Sequence, residues 1–435
     1  MISASSLLRG SCSFALALGA CGDSGEAEGS GTHGGSSDTS GVATVSSSGA
    51  DGATTVQGSE GGSTTDEPSV LPFPPAGPDA APDPAAMGPY PVGVMTALLL
   101  DESRPNDAGE PRRLVTEIWY PAVEEARGQA GYVYTEDDLL TEEARAALMM
   151  PLDVELATDA VRDAEPRDPG EAFPIVLFSH GSSGVRMQST FLTVYLASHG
   201  YVVAAPDHLG NTLSDAVLGA GTAEQFESLG QRPDDMGFVL AYLQGLAADD
   251  PLGAIVDGER VGAAGHSFGA LTTLRLLAQG RPIDVAVAQA PPGFDVVWFG
   301  GLPVQPEDIT VPVMLHAGGV DMTTPLADAE SIYERLVAPK SMLTVLTAGH
   351  FSFSDMCLLD AEAIEAATQI GLSEALSDGC SADNIGPEIA LPLERHFAIG
   401  LFNGHLRDSP GSLDLLTAEA AETLAPGMFE LDYQP

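Results

Sequence analysis

A serine hydroxyl becomes a useful nucleophile only when a base takes its proton and an acid holds that base in place. The serine with the strongest claim here is Ser267, in the stretch Gly265-His266-Ser267-Phe268-Gly269. The apolar run 261–264 leads into it, and a helical pattern follows at once from Ala270. This is Gly-x-Ser-x-Gly in a strand–turn–helix setting. Flanking residues without a Cβ permit a turn sharp enough to lift the hydroxyl clear of a sheet. The turn also sets that hydroxyl at a helix N-terminus, where N–H groups meet developing negative charge.

Two other stretches offer partners. The run 311–315 is followed by His316-Ala317-Gly318-Gly319-Val320-Asp321, and the run 341–346 by Thr347-Ala348-Gly349-His350. His350 is the candidate base and Asp321 the candidate acid, with Asp295, just after the run 284–288, as the alternative acid. Two N–H donors are expected to face an oxyanion. One is the amide of Phe268, next after the nucleophile. The other is that of Ser182, in the loop His180-Gly181-Ser182 that follows the run 173–178. Such a set performs acyl transfer: an ester is split through a covalent acyl-serine. A histidine base acts only when unprotonated, so activity is expected to fall on the acid side of neutrality. His180 and His266 flank the site and are assigned no proton transfer. Asp207-His208 has metal-ligand chemistry but no third or fourth ligand in view, so it is read as stabilising its loop, and no metal is expected.

These residues need a scaffold that brings strand ends together. The apolar runs 92–100, 114–120, 173–178, 201–205, 260–264, 284–288, 311–315 and 341–346 read as eight strands. The first two suit an antiparallel hairpin, and helical patterns separate most of the later ones, including 190–198, 234–246 and 270–278. Near-continuous apolar strands alternating with helices predict an α/β fold, a mostly parallel sheet covered on both faces. Its chemistry belongs at the carboxyl ends of the strands, where each candidate falls. Stretches 122–172 and about 351–390 read as inserts, the first as a helical element.

Composition divides the chain of 435 residues. Residues 22–68 are Gly, Ser, Thr, Ala, Asp and Glu almost throughout, and 68–91 are Pro-rich; together 22–91 read as a disordered linker stiffening towards its end. Residues 92–435 are left for one catalytic domain. The net charge of −45, from 62 acidic against 17 basic residues, argues against nucleic acid as a partner. It suits an extracytoplasmic setting.

Four cysteines are present. Arg9, the short apolar stretch 14–18 and Leu18-Gly19-Ala20-Cys21 suit an export signal over 1–21. The last four residues resemble the lipobox of bacterial lipoproteins, which implies lipidation of Cys21, a membrane anchor and a cell-envelope location; secretion without lipid is the alternative. In an oxidising compartment the remaining pair, Cys357 and Cys380, is expected to form a disulfide.

Ile175-Val176-Leu177-Phe178-Ser179-His180-Gly181, Leu196-Ala197-Ser198-His199-Gly200-Tyr201, Gly265-His266-Ser267-Phe268-Gly269 and Gly349-His350-Phe351-Ser352-Phe353-Ser354-Asp355 together resemble the plasma/type II platelet-activating factor acetylhydrolases, within the α/β-hydrolase serine esterases. The resemblance implies short acyl chains, a small-molecule or lipid ester as substrate, and no cofactor. The chain departs from that group at one place: its acid follows the strand after the nucleophile helix, where this chain reads Ala288-Gln289-Ala290-Pro291-Pro292. Asp321 matches instead the placement in bacterial cutinase-like and dienelactone-hydrolase-like enzymes, which keeps a cutinase, polyester or dienelactone type of hydrolase as the rival. A surface binding module with a dead site is the rival of another class.

Overall fold

The computed structural model describes residues 81–434, except 107, 168–169, 220–221, 294–304, 338, 360–362 and 364–376. The export signal, Cys21, most of the linker, Asp295 and much of the second insert therefore lie outside the described residues.

All eight apolar runs form strands of one sheet. In chain order the strands are β1 (Val92–Asp101), β2 (Arg112–Pro121), β3 (Val133–Thr135), β4 (Glu155–Ala157), β5 (Ala160–Arg162), β6 (Phe173–Ser179), β7 (Val202–Pro206), β8 (Val256–His266), β9 (Val285–Gln289), β10 (Val313–Gly318), β11 (Lys340–Val345) and β12 (Phe429–Gln434). Among the described residues the main sheet has ten strands in the order β12-β11-β10-β9-β8-β6-β7-β2-β1-β5, and β3 and β4 form a separate pair. The block from β7 to β11 is parallel. The antiparallel pairs β1–β2, β2–β7 and β11–β12 flank it. Strand β6 is buried at every position, as a strand covered on both faces must be.

The helices are α1 (Glu136–Leu139), α2 (Glu142–Ala147), α3 (Thr190–Ser198), α4 (Leu213–Val217), α5 (Thr222–Gln244), α6 (Phe268–Ala278), α7 (Leu326–Arg335), α8 (Pro387–Leu406), α9 (Pro410–Leu413) and α10 (Ala418–Leu424). Two hydrophobic clusters separate along the sheet. One joins Val176 and Phe178 of β6 to Phe191 of α3 and Phe397 and Phe402 of α8. The other joins Ile175 and Leu177 to Met236 and Val239 of α5, Leu274 of α6 and Ile332 of α7. Adjacent β6 residues thus serve opposite layers, following the two-residue period of a strand.

The sheet exceeds the expected eight strands by two at its margins. Strand β5 has only three residues, and β12 alternates half-buried with exposed side chains, so neither is a continuous apolar run. The first insert is only partly helical: α1 adjoins β3, α2 adjoins α1, and β5 adds to the sheet edge. Helix α5 begins well before the expected residue 234, passing through Pro233. The linker expected to reach residue 91 stops sooner. Tyr90 is buried edge-on against Phe173 at 5.3 Å between ring centres, and the Gly88 N–H donates to Ser198 Oγ at 2.8 Å.

Candidate active site

Ser267 directly follows β8 and sits at the N-cap position of α6 with φ 57° and ψ −121°. For a non-glycine residue this backbone is strained by roughly 1–3 kcal/mol, and it persists because its surroundings fix it. The two glycines of the motif have a steric cause. A Cβ on Gly265 would lie 2.3 Å from the Gly269 carbonyl oxygen, and one on Gly269 would lie 1.8 Å from that of Ser179. Strand β6 and helix α6 approach closely because neither glycine carries a side chain.

The structure brings Ser267, His350 and Asp321 into one hydrogen-bonded chain. His350 Nε2 lies 2.9 Å from Ser267 Oγ, and Nδ1 lies 3.0 Å from Asp321 Oδ2. The Nδ1–H donates to the carboxylate, which leaves the Nε2 lone pair facing the serine hydroxyl. Asp321 Oδ1 accepts from the amides of Thr323 at 2.9 Å and Thr324 at 2.7 Å. The Thr324 hydroxyl lies 2.9 Å from Asp321 Oδ2, 3.1 Å from His350 Nδ1 and 3.1 Å from the Ala290 carbonyl oxygen. Burial works to raise the Asp321 pKa, but the bonds from His350 and Thr324 outweigh it and hold the carboxyl below its ordinary range. Asp321 follows β10 and His350 follows β11, so both reach the same sheet edge as Ser267.

The loop after β6 runs alongside. A Cβ on Gly181 would lie 3.5 Å from Ser267 Cβ, and the next residue is Ser182. The Gly181 N–H is taken by Gln188 Oε1 at 2.9 Å. Gln188 must then present its NH2 to His266 Nδ1, 2.8 Å away, so His266 carries its proton on Nε2 and donates to the His350 carbonyl oxygen at 2.9 Å. Gln188 and His266 thus link the loop after β6 to the backbone of the candidate base. Burial and the neighbouring His350 push the His266 pKa down to about 3, so it stays neutral.

Asp207 and His208 part ways. Asp207 pairs with Arg186 at 2.8 Å, while His208 lies 2.9 Å from Ser179 Oγ and 3.0 Å from Asp235 Oδ2. Ser179, His208 and Asp235 therefore repeat the geometry of the first chain. All three are 0% exposed, against 7% for Ser267, so no ester reaches this second serine. Burial and Arg232 push the His208 pKa down to about 4.

Sequence reasoning missed the carboxylate that couples the two loops carrying Asp321 and His350. Asp378 accepts from the amides of Met322 at 3.1 Å and Thr323 at 2.9 Å, from the Thr323 hydroxyl at 2.7 Å, and from the His350 amide at 3.2 Å. Two residues on, Cys380 is joined to Cys357, the expected disulfide. From the same segment Asp355 caps α3, accepting from the amide and hydroxyl of Thr190 and the amide of Phe191. No sequence signal singles out Asp378, because its partners are three main-chain amides and one threonine hydroxyl, in loops 28 to 56 residues away.

Comparisons with known proteins agree with this architecture. The family model for platelet-activating factor acetylhydrolase, isoform II, matches residues 83–224, a span that includes the loop after β6 and ends before Ser267. A platelet-activating factor acetylhydrolase of Cavia porcellus is 26% identical over 164 residues, 30% of this chain and 38% of that one. A cutinase of Thermobifida alba is 27% identical over 190 residues, 43% of this chain and 56% of that one. The chain thus spans between 38% and 56% of these curated relatives' lengths. A solved ferulic acid esterase from Streptomyces cinnamoneus superposes with a TM-score of 0.60 at 23% identity, covering 80% of this chain and 97% of its own. The fold is that of the α/β-hydrolases.

Proposed function

We propose that this α/β-hydrolase chain cleaves carboxylic esters through an acyl-enzyme on Ser267. The observation that carries the reading is the strained Ser267, hydrogen-bonded to His350, which is in turn bonded to Asp321. Ser267 Oγ attacks the carbonyl carbon while its proton passes to His350 Nε2. Asp321 steadies the imidazolium through Nδ1–H. The amides of Phe268 and Ser182 meet the oxyanion. The intermediate collapses, the alcohol leaves with the proton from His350, and water repeats the cycle to free the acid. A Ser267→Ala variant should lose at least about a thousandfold in turnover of p-nitrophenyl acetate, and a fluorophosphonate should label Ser267 in the wild type. Wild-type rates in that variant would sink the mechanism, and an unlabelled, inactive wild type would favour a binding module.

The substrate reading is a short-chain acyl ester, with the sn-2 acetyl of a phospholipid as the finer case. The acetylhydrolase similarity supports it. The position of Asp321 after β10 and the cutinase similarity favour a second reading, a cutinase or polyester type of hydrolase. Rates across acetyl, butyryl and long-chain esters, with an acetylated phospholipid alongside, separate the two. Export and lipidation at Cys21 complete the proposal, supported by the stretch 18–21 and by a disulfide that suits an oxidising compartment. A labelled fatty acid should enter the wild type and not Cys21→Ser; equal labelling would refute the anchor.

A further inference from the structure

Arg232, on α5, is wholly buried and has no carboxylate within ion-pair distance among the described residues. Its guanidinium donates instead to the carbonyl oxygens of His180 and Gly181, the latter at 3.0 Å, and to Asn211 Oδ1. A buried cation without a direct counter-ion is expensive, and burial pushes its pKa down to about 9, which still leaves it charged at neutral pH.

Its two carbonyl partners belong to consecutive peptides, and in a trans peptide C=O and N–H point in opposite directions. The fork therefore orients two N–H groups at once. The first, of Gly181, is used by Gln188 at 2.9 Å. The second, of Ser182, has no acceptor among the described residues, and it follows the glycine that runs alongside Ser267. The Gly181 carbonyl is further pinned by the Gly184 amide at 3.2 Å and by His180 Nδ1 at 2.7 Å. His180 donates there because its Nε2 accepts from the His208 amide at 3.1 Å.

The charges facing Arg232 do not cancel it. Asp235, one turn along α5, is already held by Arg112 and Arg104, each at 2.7 Å, and Arg104 also pairs with Asp101 at 2.6 Å. Three guanidinium groups against two carboxylates leave positive charge behind the loop. The histidines packed there, His180 and His208, are both held neutral by burial, first of all, and by Arg232.

We infer that Arg232 is the positioning residue of the oxyanion site: its fork turns the 181–182 peptide so that the Ser182 N–H serves the oxyanion, and its buried charge stabilises that oxyanion from behind. This rests on the acyl-enzyme reading above. The reason for a guanidinium is geometric, since a planar fork spans two adjacent carbonyls and a lysine ammonium does not.

The test compares wild type, Arg232→Met and Arg232→Lys on p-nitrophenyl acetate, with a trifluoromethyl ketone as a mimic of the tetrahedral adduct. Arg232→Met should lower kcat by about 100-fold, with KM changed less than about threefold, and should weaken the ketone by a similar factor. Arg232→Lys should recover part of both losses. If Arg232→Met does not fold, Arg232→Lys decides: an intermediate loss of kcat with a parallel loss of ketone affinity supports the role. Wild-type kcat and ketone affinity in either folded variant would overturn it, as would a fall in kcat with undiminished ketone binding. A wild type that neither turns over ester nor reacts with fluorophosphonate would overturn the hydrolase reading and this role with it; an active wild type with an unaffected Arg232→Met overturns only the role.

Discussion

At the scale of single residues, Asp321 joins electrostatics to geometry. Its carboxylate receives four donors, from His350 and from Thr323 and Thr324, and these keep it ionised in a buried place. An Asp321→Asn variant should therefore lose about 10³–10⁴-fold in kcat, because an amide facing Nδ1 leaves the wrong imidazole tautomer opposite Ser267. Ester turnover at neutral pH checks this. The same carboxylate carries a pH signature. A folded-state pKa below the unfolded value contributes stability above the unfolded pKa and loses it as pH falls through the folded one. The stability of wild type relative to Asp321→Asn should thus decline below about pH 4, read as the difference in Tm between the two proteins. A difference that grows on acidification would refute the assignment. Ser267, His350 and Asp321 could be named from the chain because each follows an apolar run closely. Thr324, Gln188 and Asp378 could not, since their roles arise from contacts that only the assembled loops create.

At the scale of elements, the loops after β10 and β11 are coupled through a segment distant from both in sequence. Asp378 accepts from one loop at Met322 and Thr323 and from the other at His350, and the Cys357–Cys380 bridge fixes its neighbourhood. Replacing Asp378 with Ala removes the acceptor from four donors. The expected outcome is a fall of about 100-fold in kcat from misplacement of His350, with Ser267 still labelled slowly by a fluorophosphonate. Breaking the bridge by Cys357→Ser with Cys380→Ser should lower stability by about 3 kcal/mol, measured by urea unfolding, and lower kcat in the same direction as Asp378→Ala. Unchanged kcat in both variants would show that the loops hold their positions alone. The elements themselves were legible where burial on both faces makes a strand uniformly apolar. They were not legible where strands are short, as in the first insert, or where proline interrupts a helix, as Pro233 and Pro392 do in α5 and α8.

At the scale of the molecule, few basic residues face a large acidic excess, and several of them are inside. Arg112, Arg186, Arg232, Arg275, Arg395 and Arg407 are buried, but so are Asp101, Glu117, Asp235, Asp321, Asp355, Asp378 and Glu394, so the buried charges nearly cancel and the acidic excess behind the net charge of −45 stays outside the core. Self-repulsion of that surface is screened by salt. Raising NaCl from 10 mM to 500 mM should raise Tm, and should raise kcat/KM for an anionic succinyl ester more than for its neutral acetyl counterpart. Equal salt responses for the two esters would place the acidic field away from the site. The interior carries a different lesson in its sealed Ser179–His208–Asp235 set, whose spacings match those of Ser267–His350–Asp321. Judged by these distances alone, the two sets have equal merit. Only Ser267 keeps some exposure, a backbone at positive φ and, in the loop alongside, the Ser182 N–H with no acceptor among the described residues. Reactivity in such a protein is set by access to the hydroxyl and by the donors around it, and the three side chains are the part that chance and packing can also supply.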